Sequence, residues 1–124
     1  MRELLHSVKC MHELGIIHRD LKLDNVMIQE VPQPEPANEA SELTTAKKFE
    51  VRIIDFGLSI HHDPSSISKE EDKKLKALVG TPSYIAPEII KQAYDEKCDI
   101  WSLGVIAYQL FSQGECPFDG ANEI

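Results

Sequence analysis

The sequence predicts an α+β fold that is mainly helical, with a few short strands between the helices. Residues 2–14 and 99–112 carry the apolar spacing of helices, and the short apolar runs 26–28 and 51–54 are typical of strands. With 124 residues, 42% of them apolar, the chain is one domain at most and holds enough apolar side chains for a packed core.

The first predicted helix has its apolar residues on one stripe, namely Leu4, Leu5, Val8, Met11 and Leu14. Gly15 is a natural end for this helix, because glycine adopts the left-handed conformation that often follows a helix. Ile16 and Ile17 then predict an extended segment.

The helix over residues 99–112 is apolar almost all round, since it contains Ile100, Leu103, Val105, Ile106, Leu110 and Phe111. A helix that is apolar on most faces is expected in a core. Residues 87–91 predict a further short helix.

Two stretches predict loops. Residues 30–49 hold Pro32, Pro34 and Pro36 among several glutamates, which predicts a flexible insertion between the two short strands. Residues 58–80 are polar, with a Lys/Glu-rich centre, and predict a second loop.

Composition excludes several classes of protein. The net charge of −8 argues against a nucleic-acid surface, which needs clustered Lys and Arg. Three widely spaced cysteines without a CxxC pair indicate reduced thiols and no zinc site. No apolar stretch approaches the ~20 residues that span a membrane, and no signal peptide is apparent, so we expect a cytoplasmic or nuclear protein.

The most informative stretch is His18-Arg19-Asp20-Leu21-Lys22-Leu23-Asp24-Asn25. Asp20 can accept a proton from an alcohol, Lys22 can neutralise charge on a phosphoryl group, and Asn25 can hold Mg²⁺ through its side-chain oxygen. A charged surface loop after a helix is the alternative interpretation. The spacing favours phosphoryl transfer to a hydroxyl.

Three further motifs follow in order. Asp55-Phe56-Gly57 comes after the second apolar run, where a carboxylate can bridge Mg²⁺ to phosphates and Gly57 allows a sharp turn. The other two motifs are Gly80-Thr81-Pro82-Ser83-Tyr84-Ile85-Ala86-Pro87-Glu88 and Asp99-Ile100-Trp101-Ser102-Leu103-Gly104. In this order the motifs resemble the C-terminal lobe of a eukaryotic protein kinase of the Ser/Thr type.

The resemblance implies a partial kinase domain over residues 1–124, without the N-terminal lobe and the last helices. It also implies ATP and Mg²⁺ as cofactors, and proteins with Ser or Thr hydroxyls as substrates. Because ATP is held between two lobes in the family, we expect the 124 residues alone to be inactive, with apolar surface exposed around the 99–112 helix.

The resemblance assigns roles to single residues. Asp20 resembles the catalytic base, Lys22 the residue typical of Ser/Thr-directed kinases, and Thr81 the hydroxyl that meets both of them. Asn25 and Asp55 resemble the two metal ligands.

Other matched residues resemble supporting parts of the family site. Met27 would pack beneath the adenine ring, backed by Ile106 and Leu110. The alternative for Met27 is an ordinary core position. His18 and Phe56 resemble members of a stacked apolar spine, and Asp99 a buried carboxylate that accepts backbone N–H bonds from the 18–25 loop.

Arg19 resembles a residue that binds a phosphate on the activation segment in many kinases. Residues 69–80 contain no Ser, Thr or Tyr, and Ala77 stands roughly where the phosphorylated residue usually lies. We therefore expect activity that does not depend on a phosphate at that position.

The subfamily is open. The 94–106 stretch, together with residues 116–120, looks most like calcium-dependent and calmodulin-dependent kinases, whereas residues 23–27 are closer to protein kinase C. Calcium or calmodulin-type regulation would lie outside this chain. A kinase-derived interaction module or decoy without catalysis is the alternative function, although intact Asp20, Lys22, Asn25 and Asp55 argue against it.

Overall fold

A computed structural model describes residues 1–32, 48–63, 65 and 74–118 of the chain. The first helix, α1, spans Arg2–Glu13 and buries Leu4, Val8 and Met11. These three residues follow the i, i+4, i+7 spacing of a single narrow stripe. Leu5 lies about 100° away around the helix and Leu14 lies past its end, so both are exposed, which corrects the wider stripe predicted above.

Gly15 follows α1 with φ of +71°, as a glycine at a helix end commonly does. The chain then enters strand β1, Ile16–Ile17, which confirms the predicted extended segment. Ile17 is almost fully buried beside Ala86 and Ile89. The chain therefore enters the core directly after α1, one residue before His18.

Strands β2, Val26–Val31, and β3, Lys48–Ile53, form an antiparallel pair in register from Val26 opposite Ile53 to Val31 opposite Lys48. Both strands are longer than the apolar runs that predicted them. The predicted insertion over 30–49 is therefore too wide, because its first two and last two residues are paired strand. Residues 33–47 lie outside the described part of the chain.

The predicted loop over 58–80 is also partly regular. Strand β4, Ile60–His61, pairs antiparallel with β1, and Leu75 forms an isolated antiparallel bridge with Tyr94. Ile54, the last residue of the second predicted strand, lies just beyond β3. Residues 64 and 66–73 lie outside the described part of the chain.

Helix α2 spans Pro87–Ile90, close to its predicted bounds, and helix α3 spans Lys97–Phe111. Leu103, Val105 and Ile106 of α3 pack with Leu4, Val8, Met11, Leu21 and Tyr84 in the main core. A second cluster holds Ile17, Ala86, Ile89, Tyr94 and Cys98, and Trp101 packs against both.

Only one side of α3 is buried in the described structure. Ile100, Leu110 and Phe111 are 51%, 55% and 88% exposed, so the expectation of a helix buried on most faces is wrong for these residues. The reason is that the core residues of α1, together with Leu21 and Tyr84, pack on one side of the helix. The expectation of apolar surface around this helix is met.

Polar bonds fix α3 against the segment that precedes it. Ser102 donates from Oγ to the Tyr84 carbonyl at 2.9 Å, and the Tyr84 hydroxyl donates to Oε1 of Gln109 at 2.7 Å. Burial, with the negative charges of Asp99 and Glu88, raises the pKa of the Cys98 thiol and keeps it protonated. Among the described residues, no helix combines the length and apolar character that crossing a bilayer requires.

The two isoleucines of α3 provide a matched test of this packing. Ile106 is fully buried and Ile100 is half-exposed, so Ile106→Ala is expected to lower the free energy of unfolding by about 2–5 kcal/mol. Ile100→Ala is expected to lower it by less than about 1 kcal/mol. Urea unfolding followed by Trp101 fluorescence measures both, and equal losses would contradict the one-sided burial of α3.

Candidate active site

Asp99, in the first turn of α3, holds the 18–25 loop in place. Its side chain is fully buried, and its two oxygens accept the backbone N–H groups of His18 and Arg19, each at 2.9 Å. The predicted acceptor role of Asp99 is thus seen directly. Nε2 of His12 lies 2.9 Å from the same carboxylate, a contact that sequence reasoning missed.

His18 connects this loop to the segment that carries Asp55. The backbone N–H of Asp20 donates to Nδ1 of His18 at 3.3 Å, so the ring proton lies on Nε2, which donates to the Ile54 carbonyl at 3.1 Å. The Phe56 ring meets the His18 ring edge-on, with centroids 5.0 Å apart. The two rings are therefore in contact but not stacked, and their place in a stacked apolar spine stays a prediction.

Three side chains meet at the centre of the site. The Thr81 hydroxyl donates to Oδ1 of Asp20 at 2.6 Å, and Nζ of Lys22 lies 3.0 Å from the Thr81 hydroxyl and 3.2 Å from Oδ2 of Asp20. Asp20 and Lys22 lie in the 18–25 loop, about 60 positions before Thr81. The structure therefore brings together the three residues that the sequence predicted as catalytic.

The pKa of Asp20 is lowered although the residue is buried. Burial by itself raises the pKa of this carboxyl, but the hydrogen bond from Thr81, together with the hydrogen bond and charge of Lys22, outweighs it. Asp20 is consequently ionised at neutral pH. It can accept hydrogen bonds from a hydroxyl placed next to it.

Asn25 and Asp55 are the predicted metal ligands. Nδ2 of Asn25 donates to the Asp20 carbonyl at 2.8 Å, which orients the amide and leaves its Oδ1 as the atom that can bind a cation. The Asn25 carbonyl accepts the N–H of Ile54 at 3.0 Å, so the residue before Asp55 is tied to Asn25. One amide oxygen and one carboxylate suit Mg²⁺, which keeps several water or phosphate ligands.

Within residues 1–32, 48–63, 65 and 74–118, no three His, Cys, Asp or Glu side chains are grouped so that they could hold a metal ion. The metal-binding roles of Asn25 and Asp55 stay predictions.

The turn expected at Gly57 is present, because the N–H of Ser59 donates to the Phe56 carbonyl at 3.0 Å, with Gly57 and Leu58 between them. The backbone of Asp55, two residues earlier, is also unusual. Asp55 has φ of +60°, and its Oδ1 accepts the N–H of Gly57 at 3.2 Å. A Cβ on residue 57 would lie only 3.1 Å from that oxygen, so the glycine leaves room for the Asp55 carboxylate. Arg19 also has a left-handed backbone, with φ of +67°.

Met27 does not occupy a core position. Its side chain is 53% exposed, which excludes the ordinary core interpretation. Its neighbour Val26 packs against the cluster that contains Ile106, while Leu110 is itself half-exposed. An adenine-facing role for Met27 stays a prediction.

Arg19 has partners that the sequence did not indicate. Its Nε donates to the Leu58 carbonyl at 2.7 Å, and its Nη1 donates to the Tyr94 hydroxyl at 3.3 Å. No short-range pattern could have paired Arg19 with a tyrosine 75 residues away. The bond to Leu58 connects the 18–25 loop to the 58–80 segment, and the bond to Tyr94 connects it to the residues that precede α3.

Comparison with known proteins agrees with this geometry. The protein kinase domain family matches residues 1–124 of the chain. The chain belongs to the protein kinase family. This kinase chain is 40% identical over 123 residues to calcium-dependent protein kinase 4 of Plasmodium falciparum, a match that covers 99% of the chain and 19% of the relative.

Two more distant relatives are serine/threonine-protein kinases by name. The ovarian-specific serine/threonine-protein kinase Lok of Drosophila melanogaster is 36% identical, over 94% of this kinase chain and 21% of the relative. Serine/threonine-protein kinase PEPKR2 of Arabidopsis thaliana is 35% identical, over 96% and 20%. The kinase chain thus spans about a fifth of the length of the curated relatives it matches.

Replacing the carboxylate of Asp99 tests its hold on the loop. Asp99→Asn puts an amide NH₂ where an acceptor is needed, so one buried donor loses its partner and the free energy of unfolding is expected to fall by about 1–3 kcal/mol. Asp24→Asn, at an exposed position in the loop, is the control and is expected to change stability by less than about 0.5 kcal/mol. Urea unfolding measures both, and an unchanged Asp99→Asn protein would argue against the role of this carboxylate.

Proposed function

We propose that this kinase transfers the γ-phosphoryl group of ATP to Ser or Thr hydroxyls of protein substrates. The observation that carries the proposal is the contact between Asp20, Lys22 and Thr81, with hydrogen-bond distances of 2.6 and 3.0 Å to the Thr81 hydroxyl. A carboxylate and an ammonium group held around one small hydroxyl can receive a second, substrate hydroxyl at the same place.

On this proposal each side chain has a separate task. Asp20 orients the substrate hydroxyl and takes its proton as the bond to phosphorus forms, while Lys22 neutralises the charge that builds up on the phosphoryl oxygens. Thr81 holds Asp20 and Lys22 at a fixed distance. Because the pKa of Asp20 is lowered, the carboxylate is ionised, as both of its tasks require.

ATP and Mg²⁺ are the proposed cofactors. When bound, ATP with Mg²⁺ supplies the phosphoryl group that is transferred. Asn25 through Oδ1 and Asp55 through its carboxylate are the residues that would hold the metal. Met27, exposed on β2, is the proposed contact for the adenine ring.

We also propose that the 124 residues form the C-terminal lobe of a kinase domain. The helices, the short β2–β3 pair and the loop held by Asp99 support this placement. A Gly-rich loop and a strand lysine for the phosphates are then supplied by sequence outside these residues. The proposed location of the whole kinase is the cytoplasm or the nucleus.

Asp20→Asn in the full-length protein that carries this chain tests the reaction. The amide cannot accept the proton, so kcat for phosphorylation of a Ser-containing peptide is expected to fall about 100- to 10,000-fold, with little change in ATP affinity. Glu13→Gln, at an exposed position of α1, is the matched control and is expected to keep wild-type kcat.

The measurement is radiolabelled phosphate transfer from ATP to the peptide, combined with nucleotide binding by calorimetry. Wild-type protein that binds neither ATP nor Mg²⁺ and transfers no phosphate would contradict the proposal and favour a non-catalytic interaction module. Equal activity of the Asp20→Asn and wild-type proteins would remove Asp20 from the mechanism.

Calcium regulation is proposed from the similarity to relatives that are called calcium-dependent protein kinases. The responsible sequence would lie outside this chain. Removing calcium with a chelator is expected to lower the activity of the full-length kinase at least tenfold, and adding calcium back should restore it. Activity that is unchanged by the chelator would place the kinase outside the calcium-regulated group.

A further inference from the structure

Tyr94 is a buried tyrosine whose hydroxyl lies between the 18–25 loop and the 58–80 segment. Only 1% of the residue is exposed. Its hydroxyl accepts a hydrogen bond from Nη1 of Arg19 at 3.3 Å and donates one to the Ala77 carbonyl at 2.8 Å. One phenol group thus connects Arg19 to the backbone of the segment that leads to Thr81.

The backbone of Tyr94 holds the same segment. The N–H of Leu75 donates to the Tyr94 carbonyl at 2.7 Å, and the N–H of Tyr94 donates to the Leu75 carbonyl at 3.1 Å. Next to this bridge, Lys74 pairs with Asp95. Residues 74–77 are therefore attached to the 94–95 segment through backbone, side-chain and ionic contacts.

The ion pair between Lys74 and Asp95 persists across the physiological pH range. Burial by itself raises the pKa of Asp95, but the bond from Lys74 and the N–H of Lys97 outweigh it and lower that pKa. The bond to Asp95 raises the pKa of Lys74. Both groups are therefore charged at every pH between their ordinary pKa values, and the pair weakens only below or above that window.

Arg19 contacts both ends of the 58–80 segment directly and is connected to its middle through Tyr94. Its Nε donates to the Leu58 carbonyl at 2.7 Å, and its Nη1 reaches the middle of the segment through Tyr94. At the far end, Gly80 passes so close that a Cβ on it would lie 2.8 Å from the Arg19 carbonyl oxygen. Thr81 follows directly and donates to Asp20.

We propose that Tyr94 is a positioning residue for phosphoryl transfer, which fixes the segment before Thr81 by bonding both Arg19 and Ala77. The proposal rests on the proposed kinase function. Tyr94 does not touch the reacting atoms, and it acts through the backbone of residues 74–80 on Thr81 and hence on Asp20. Because Nε and Nη1 of Arg19 are already bonded to the Leu58 carbonyl and to Tyr94, we expect Arg19 to hold this segment without a phosphate between residues 58 and 80.

The test is Tyr94→Phe in the full-length protein, which removes the hydroxyl and keeps the ring in the core. Losing a hydrogen bond to a charged group is expected to lower kcat/KM for a Ser-containing peptide about tenfold. The KM for ATP is expected to stay within about twofold, since Asn25 and Asp55 are not held by Tyr94. Tyr108→Phe, which alters a tyrosine that is 47% exposed on α3, is the matched control and is expected to match wild type.

Hydrogen exchange provides a readout that does not depend on activity. Tyr94→Phe is expected to speed amide exchange in residues 74–81 at least fivefold and to leave α1 unchanged. Unchanged exchange in residues 74–81 would overturn the proposal even if the full-length protein transferred no phosphate. Inactive wild-type protein with faster exchange in the variant would instead contradict the proposed function alone.

Two further results would overturn the positioning role. One is a kcat/KM for the peptide within twofold of wild type. The other is an equal rise in the KM values for peptide and ATP with faster exchange throughout the chain, which would indicate a purely structural role.

The expectation that the 58–80 segment needs no phosphate has a separate test. Full-length protein is treated with phosphatase and checked by mass spectrometry for the absence of phosphate between residues 58 and 80. It is expected to keep at least half of its kcat. A tenfold loss of kcat that is reversed when a residue between 58 and 80 is phosphorylated again would contradict this expectation.

Discussion

The Asp99 carboxylate is the constraint on which the rest of the site depends. It accepts two backbone N–H groups from the 18–25 loop and contacts His12 of α1, so one side chain joins α1, the loop and α3. A buried carboxylate is costly unless polar partners surround it, and here the partners come from the 18–25 loop and from α1. The path of the 18–25 loop therefore depends on the position of α3, which carries Asp99.

The remaining contacts of the site are made by residues of the 18–25 loop that Asp99 holds. His18 donates to the Ile54 carbonyl, and the Asn25 carbonyl accepts the N–H of Ile54, so both residues hold the segment before Asp55. Arg19 is connected through Tyr94 to the residues before Thr81. The apolar core keeps α1 and α3 together so that these bonds can form. Residues that carry the proposed chemistry thus depend on packing well away from the site.

Sequence reasoning worked best where a motif holds the geometry within a few residues. Asp20, Lys22 and Asn25 are found together because the loop between them is short, and Thr81 meets Asp20 and Lys22 as the resemblance implied. The contact of His12 with Asp99 and that of Arg19 with Tyr94 could not be predicted, since each joins residues 75 or more positions apart without a local pattern. The outer face of α3 was misjudged because composition shows that a helix is apolar but not which neighbours cover it.

Arg19 and Asp55 both hold a left-handed backbone, which few residues other than glycine adopt without strain. Such strain amounts to about 1–3 kcal/mol at each position, and here the surrounding bonds keep it in place. Glycine would relieve the strain at either position, but it would also remove the guanidinium or the carboxylate that the site uses. This kinase therefore retains a locally unfavourable backbone at Arg19 and Asp55, and part of the stability of the domain offsets the geometry of the candidate site.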